Sequence, residues 1–250
     1  MIQSGEHRER TAVVIGGAGS IGSAIVDRLV SEGARVFVLD VEANSRPAQS
    51  EVAPDAHPIT LLQIDVSNEA DLESAFDTIA NRAGRIDYLI FCPSMFSPQA
   101  FLELDPQQWK ETLDVNLTRA FLCCRSATRY MRVQRFGRIV LFSSMLARTG
   151  AVNRAHYAAA TGGILGLART LALEVAQENI RVNTVSPGIT DTVQSNGSIS
   201  AAEIAQTAQI PLGRLGRVDD MVEACLFLLS DESSYVTGQD IRVNGGAPLW

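Results

Sequence analysis

The chain has 250 residues, 46% hydrophobic and 20% charged, an ordinary globular composition that excludes disordered, collagenous and coiled-coil classes. A net charge of −7 argues against nucleic acid or an anionic membrane as a partner. The apolar runs Thr11–Ile15 and Tyr88–Cys92 are too short to cross a bilayer, and the polar start, MIQSGEHRER, lacks a signal-peptide apolar region, so a cytoplasmic protein is expected.

Short β-branched runs alternate with longer amphipathic stretches. Thr11–Ile15 reads as a strand. Ser20–Glu32 places Ile21, Ala24, Ile25 and Leu29 at helical spacing, with Gly33 as its stop. Arg35–Leu39 is a second strand and Thr60–Ile64 a third; Glu69–Ala83 is a helix and Asp87–Phe91 a fourth strand. Pro106–Thr128 is predicted as one helix, Arg138–Phe142 as a fifth strand and His156–Gln177 as a long helix. Strand Ile180–Val185, helix Val218–Leu229 and a short strand Asp240–Val243 complete the pattern. No repeat, low-complexity tract or linker divides residues 1–250, which read as one domain. Strand–helix alternation needs right-handed crossovers and a parallel sheet covered on both faces. The expected fold is a Rossmann-like, doubly wound three-layer α/β/α domain with a seven-stranded parallel sheet. Ligands then bind beyond the carboxyl ends of the strands.

Gly16-Gly17-Ala18-Gly19-Ser20-Ile21-Gly22 follows the first strand and opens into a helix. Glycines there let backbone N–H groups approach a pyrophosphate at the positive helix end. Asp40 ends the second strand, where a carboxylate can accept hydrogen bonds from an adenosine ribose and repel a 2′-phosphate. NAD(H) is therefore favoured over NADP(H). Of the four cysteines, Cys123 and Cys124 are adjacent, Cys92 and Cys225 isolated, and no spacing suggests a metal site. Buried free thiols in a reducing compartment are expected. The 21 basic residues are 20 arginines and a single lysine, Lys110.

On these motifs the chain resembles the short-chain dehydrogenase/reductase family over essentially its whole length. The family's TGxxxGIG is matched at Gly16, Ile21 and Gly22, with Ile15 for the Thr and Ser20 for the second Gly. Asp65-Val66 looks like the Asp–hydrophobic pair beside the adenine. Asn116, Ser144 and Tyr157 match the catalytic Asn, Ser and Tyr, with the family's 13-residue Ser-to-Tyr spacing. Pro187-Gly188-Ile189-Thr190-Asp191-Thr192 is similar to PGxxxT, whose backbone and Thr hold the nicotinamide amide. The tail from Pro211 to Gly246 is close to the family's C-terminal pattern. The resemblance implies cofactor contacts at Gly16, Gly19, Ser20, Ile21, Gly22, Asp40, Asp65, Val66, Cys92, Tyr157, Thr161, Pro187, Gly188, Thr190 and Thr192.

Two motifs depart from the family. YxxxK reads Tyr157-Ala158-Ala159-Ala160-Thr161, with Thr161 where the lysine belongs, and NNAG reads Phe91-Cys92-Pro93-Ser94. In the family chemistry Tyr157 is the acid/base, Ser144 holds the substrate oxygen and Asn116 supports a relay water. The lysine binds the nicotinamide ribose and lowers the tyrosine pKa. Moving a tyrosine from ~10 to ~7 takes roughly 4 kcal/mol of electrostatic help. Thr161 can hydrogen-bond a ribose hydroxyl but supplies no cation. Lys110 lies six positions before Asn116, about 240° round a helix, and faces elsewhere. Arg148, Arg154 and His156 are nearer in sequence. An arginine reaching over from the 148–154 loop stays open, and His156 reads as packing or surface.

Alcohol oxidation needs a tyrosinate, which is scarce without the lysine, whereas carbonyl reduction needs the neutral phenol. An NAD(H)-dependent reductase with a weakened triad, acting on a small carbonyl compound, is the leading expectation. A non-redox enzyme (dehydratase, isomerase, cyclase or epoxide/halohydrin chemistry) using Ser144 and Tyr157, and a catalytically silent homologue, stay open. Met95 and Phe96 are expected to line the loop near the cleft or to be core, and residues 193–210 to cover the substrate. Apolar faces on the helices at 106–128 and 156–177, including Leu165, Leu167, Leu171 and Leu173, go beyond what one sheet can cover. The resemblance implies that these helices pair across a two-fold axis in a homotetramer of D2 symmetry or a homodimer, with Pro248-Leu249-Trp250 buried at a subunit contact.

Overall fold

The computed structural model describes residues 7–41, 59–191 and 210–247. Strand β1 (Thr11–Ile15) is buried at every position, as a central strand covered on both faces must be. Its side chains alternate between two cores. Val13 and Ile15 join Phe37, Leu72, Phe76, Ile164 and Ala168 on one face, while Ala12 and Val14 join Ile25, Leu29, Val36, Met221 and Leu226 on the other. The remaining strands are β2 (Arg35–Asp40), β3 (Ile59–Gln63), β4 (Tyr88–Phe91), β5 (Gly137–Phe142), β6 (Ile180–Pro187), the short β7 (Thr190–Asp191) and β8 (Gly216–Arg217), and β9 (Asp240–Val243). The main sheet has seven strands in the order β3-β2-β1-β4-β5-β6-β9, all parallel. The predicted doubly wound architecture is thus present. The strand order reverses between β1 and β4, which opens a crevice at their carboxyl ends.

Helices α1 (Ser20–Ser31) and α7 (Val218–Leu229) cover one face. The other face carries α2 (Glu69–Ala83), α4 (Arg119–Gln134) and α6 (Ala155–Val175). Helix α2 starts where Asn68 accepts the N–H groups of Ala70 and Asp71, at 3.1 and 3.4 Å. Helix α3 (Pro106–Leu113) starts with Asp105 accepting the Gln107 N–H at 2.9 Å and with Pro106 in its first turn.

The stretch predicted as one helix over 106–128 differs. It is α3, a π-helical turn at Asp114–Thr118, and α4, which runs on to Gln134. The widened turn surrounds Asn116, whose amide is drawn to a neighbouring loop. A short helix, α5 (Leu146–Thr149), follows β5. With its 3-10 extension, α6 spans Ala155–Glu178, long and apolar enough by length and composition to cross a membrane. Its apolar content has another cause here, since Ile164, Ala168, Ala172 and Val175 pack on the sheet.

Candidate active site

The glycine loop is held by close approaches that a side chain would prevent. A Cβ on Gly22 would lie 2.3 Å from the Gly16 carbonyl oxygen, and one on Gly16 (φ +76°) would lie 2.7 Å from the Pro93 nitrogen. Gly16 N–H donates to Leu39 O (3.3 Å) and Gly19 N–H to Gly16 O (3.2 Å), folding the loop over the ends of β1 and β2. Helix α1 begins beside it at Ser20, Ile21 and Gly22. No side chain caps its Gly19 end and no acid lies in its first turn, so the positive end of the amide dipole faces the crevice. Asp40 stands at the end of β2 and accepts the Ala18 N–H at 3.3 Å, placing a carboxylate at the rim of the loop. This cradle suits the pyrophosphate and adenosine ribose of a dinucleotide.

Asp65 accepts the Ser67 N–H (2.9 Å), which holds its carboxyl below the usual carboxylate range, and Arg119 lies 3.6 Å away. Val66 is buried in the core. Cys92 N–H donates to Ile15 O at 3.0 Å, and burial pushes its thiol up to about 12. Pro187 ends β6, where its carbonyl accepts Met145 N–H at 3.0 Å. Gly188 packs against Asn244, and Thr190 donates its hydroxyl to Gly188 O at 3.2 Å. Thr192, residues 193–209 and Pro248-Leu249-Trp250 lie outside the described residues.

The catalytic candidates converge beyond β4 and β5. Asn116 is buried and binds both edges of one backbone unit. Its Oδ1 accepts Met95 N–H (3.1 Å), and its Nδ2 donates to Met95 O (3.1 Å) and Thr112 O (2.8 Å). Asn116 sits in the π turn at Asp114–Thr118, and π turns of this kind recur at functional sites. Ser144, just past β5, accepts Leu146 N–H at 3.2 Å. The Tyr157 hydroxyl, near the start of α6, is 3.4 Å from the Ser94 hydroxyl. Burial raises the Tyr157 phenol above its ordinary value, although hydrogen bonds with Ser94 and Ser144 and the charge of Arg154 oppose the rise.

Thr161 is 3% exposed, and its hydroxyl donates to Tyr157 O at 2.8 Å, back into its own helix. In this rotamer its proton is not directed to a ribose. Arg148 pairs with Asp240 at 3.1 Å, and Lys110 is exposed on α3. His156 is buried and packs. Arg154 lies 4.0 Å over the Phe96 ring, and Phe96 stands edge-on to Tyr157 at 4.8 Å between centroids. The expected place of Phe96 near the cleft and of an arginine from the 148–154 loop is thus filled by this Arg154–Phe96 stack, whereas Ser94, which also belongs to the site, carries no role in the sequence reading. The usable signal for Ser94 was its place directly beyond β4, at the reversal of strand order.

A glycine cradle at the switch point, with a tyrosine, serine and asparagine around one cleft, defines a nucleotide-binding oxidoreductase scaffold. A family model described as enoyl-(acyl carrier protein) reductase matches residues 16–248. The chain belongs to the short-chain dehydrogenase/reductase family. It is 34% identical over 241 residues to a 3-oxoacyl-(acyl carrier protein) reductase of Aquifex aeolicus, covering 95% of this chain and 96% of that one. Over 239 residues it is 35% identical to a cis-4-hydroxycyclohexanecarboxylate dehydrogenase of Sinomonas cyclohexanicum, with the same coverage. Among solved structures, a short-chain dehydrogenase/reductase described as glucose/ribitol dehydrogenase from Brucella melitensis superimposes with a TM-score of 0.90. The two are 30% identical, and the match covers 99% of this chain and 100% of that one.

Proposed function

We propose that the protein is an NAD(H)-dependent short-chain reductase/dehydrogenase that acts on a small carbonyl/alcohol pair and favours reduction. The observation that carries this reading is a buried Tyr157 phenol, its pKa raised by that burial and its hydroxyl in hydrogen-bond reach of the Ser94 and Ser144 hydroxyls, at the same end of the sheet as the glycine cradle. Bound NADH supplies the hydride. Gly16, Gly19, Ser20, Ile21 and Gly22 would hold the pyrophosphate through backbone N–H groups, and Asp40 would hold the adenosine ribose. Ser144, whose oxygen accepts Leu146 N–H, keeps its own proton for the carbonyl oxygen of the substrate. Tyr157 then gives its proton to that oxygen as charge develops there. Asn116 fixes the Met95 backbone and with it the wall of the cleft.

The sign of the pH dependence follows from the raised phenol. Reduction uses the protonated form and holds its rate up to alkaline pH. Oxidation uses the tyrosinate and gains tenfold per pH unit below the phenol's pKa. Calorimetric titration tests the cofactor. NADH is expected to bind at least ~10-fold tighter than NADPH, because the Asp40 carboxylate repels a 2′-phosphate, and Asp40→Ser should narrow the gap. Equal or tighter NADPH binding overturns it. A second reading is favoured by the inward-turned Thr161 hydroxyl, which leaves the ribose without the family's grip. In that reading Ser144 and Tyr157 polarise an oxygen in non-redox chemistry.

The same proposal includes a cytoplasmic homo-oligomer, dimer or D2 tetramer, paired through α4 and α6. A groove of about 890 Å³ between these helices is lined by Phe121, Val133, Leu167 and Leu171, with Arg125, Arg129, Arg132 and Arg135 among them. Phe121 and Val133 are exposed within it, and these apolar side chains support a second copy as the cover.

A further inference from the structure

Ser94 stands in the last position of the segment that replaces NNAG, where the family pattern has a glycine and so no hydroxyl. Its neighbours on both sides are fixed. Cys92 N–H is bonded to Ile15 O, Pro93 is packed under the glycine loop at Gly16, and Met95 is clamped at both backbone edges by Asn116. The backbone at 94 therefore has little freedom, and the hydroxyl is delivered to 3.4 Å from Tyr157 Oη. Phe96 closes the other side of the phenol edge-on, beneath the Arg154 guanidinium. The hydroxyls near this centre differ in what else they bind. Thr161 gives its proton to Tyr157 O, and Ser144, which also reaches the phenol, accepts Leu146 N–H. Ser94 is the phenol's hydroxyl partner that comes from the segment replacing NNAG, at 3.4 Å.

We propose that Ser94 is a positioning residue that takes over part of the missing lysine's task, by donating a hydrogen bond to Tyr157 Oη and holding the tyrosinate left after proton transfer. This rests on the reading of Tyr157 as the proton donor. The step balances simply. The Tyr157 O–H bond breaks, its proton bonds to the substrate oxygen, and the electron pair stays on Oη. There the Ser94 hydroxyl proton meets it at a distance that shortens as the acceptor becomes charged. Neither serine nor tyrosine changes oxidation state.

The test is an ultraviolet titration of tyrosinate in the free protein, with Tyr157→Phe identifying the Tyr157 component. Loss of one hydrogen bond to an ionised oxygen in Ser94→Ala should raise that midpoint by about 1–2 pH units. Ser94→Thr, which keeps the hydroxyl, should restore it. Ser94 is exposed at the loop surface, so both variants should retain the fold. With NADH and a ketone probe, Ser94→Ala should lower kcat about 10-fold or more with little change in KM, since the bond strengthens only as charge develops. An unmoved midpoint in Ser94→Ala overturns the proposal whatever the activity. A midpoint that moves in a protein inert to every carbonyl probe supports the Ser94–Tyr157 coupling and removes the reductase reading instead.

Discussion

Thr161→Lys is the most direct perturbation of this site. Positions 157 and 161 are four apart on α6, so their side chains lie on one face. A lysine ammonium brought to ~4 Å from the phenolic oxygen contributes about 4 kcal/mol at an effective dielectric of ~20. That corresponds to ~3 pKa units, close to what a tyrosine needs to titrate near neutrality. The site opposes part of the gain. Position 161 is buried, which weakens the ammonium, and the phenol starts from a raised value because of its own burial. A net fall of ~2–3 units is expected for Tyr157. The tyrosinate fraction at neutral pH, and with it alcohol oxidation by NAD, should then rise by ~10²–10³, while reduction of the matched ketone changes less than ~10-fold. The assay is a pair of pH–rate profiles on matched alcohol and ketone probes for the parent, Thr161→Lys and Thr161→Lys/Tyr157→Phe. The double variant should lose both activities. If the lysine improves NADH binding and shifts the Tyr157 titration but no probe is oxidised or reduced, Tyr157 is not a redox proton donor here. Ser144 and Tyr157 would then act as an oxygen-polarising pair.

Two further outcomes follow from packing. Gly22→Ala puts a methyl group 2.3 Å from the Gly16 carbonyl oxygen, so the loop must open; denaturant unfolding should show a loss of ~1–3 kcal/mol, and calorimetry weaker NADH binding, whereas unchanged values for both would contradict the close approach. Phe121→Arg adds a charge to a groove already lined by Arg125 and Arg129. Light scattering at micromolar concentration should report a dimer or tetramer for the parent and a monomer of unchanged circular dichroism for the variant, and a monomeric parent would refute the assembly.

Much of this fold was legible in the chain because burial on two faces writes itself locally. The strand at Thr11–Ile15 is apolar from Ala12 to Ile15 since both sides of it are covered, and the helix after it repeats at the helical period since one side is. The glycine loop and Asp40 were legible for a similar reason, because they occupy fixed positions relative to the ends of two adjacent strands. The absent lysine needed only the Tyr157-to-Thr161 spacing. What sequence could not supply were pairings between distant segments. The run from Pro106 to Thr128 keeps a helical period, yet the backbone widens at Asn116, whose amide is shared between Thr112 O of its own helix and Met95, 21 positions earlier. Ser94 meets Tyr157 across 63 positions, a contact made only when β4 and α6 reach the same end of the sheet. The direction of the Thr161 hydroxyl is a rotamer choice between its own helix and the cleft, and in the folded protein the buried carbonyl of Tyr157 takes that proton. Local period and spacing record which face of an element is buried, whereas the partner of a buried polar atom is set by whichever segment the topology brings within about 3 Å of it.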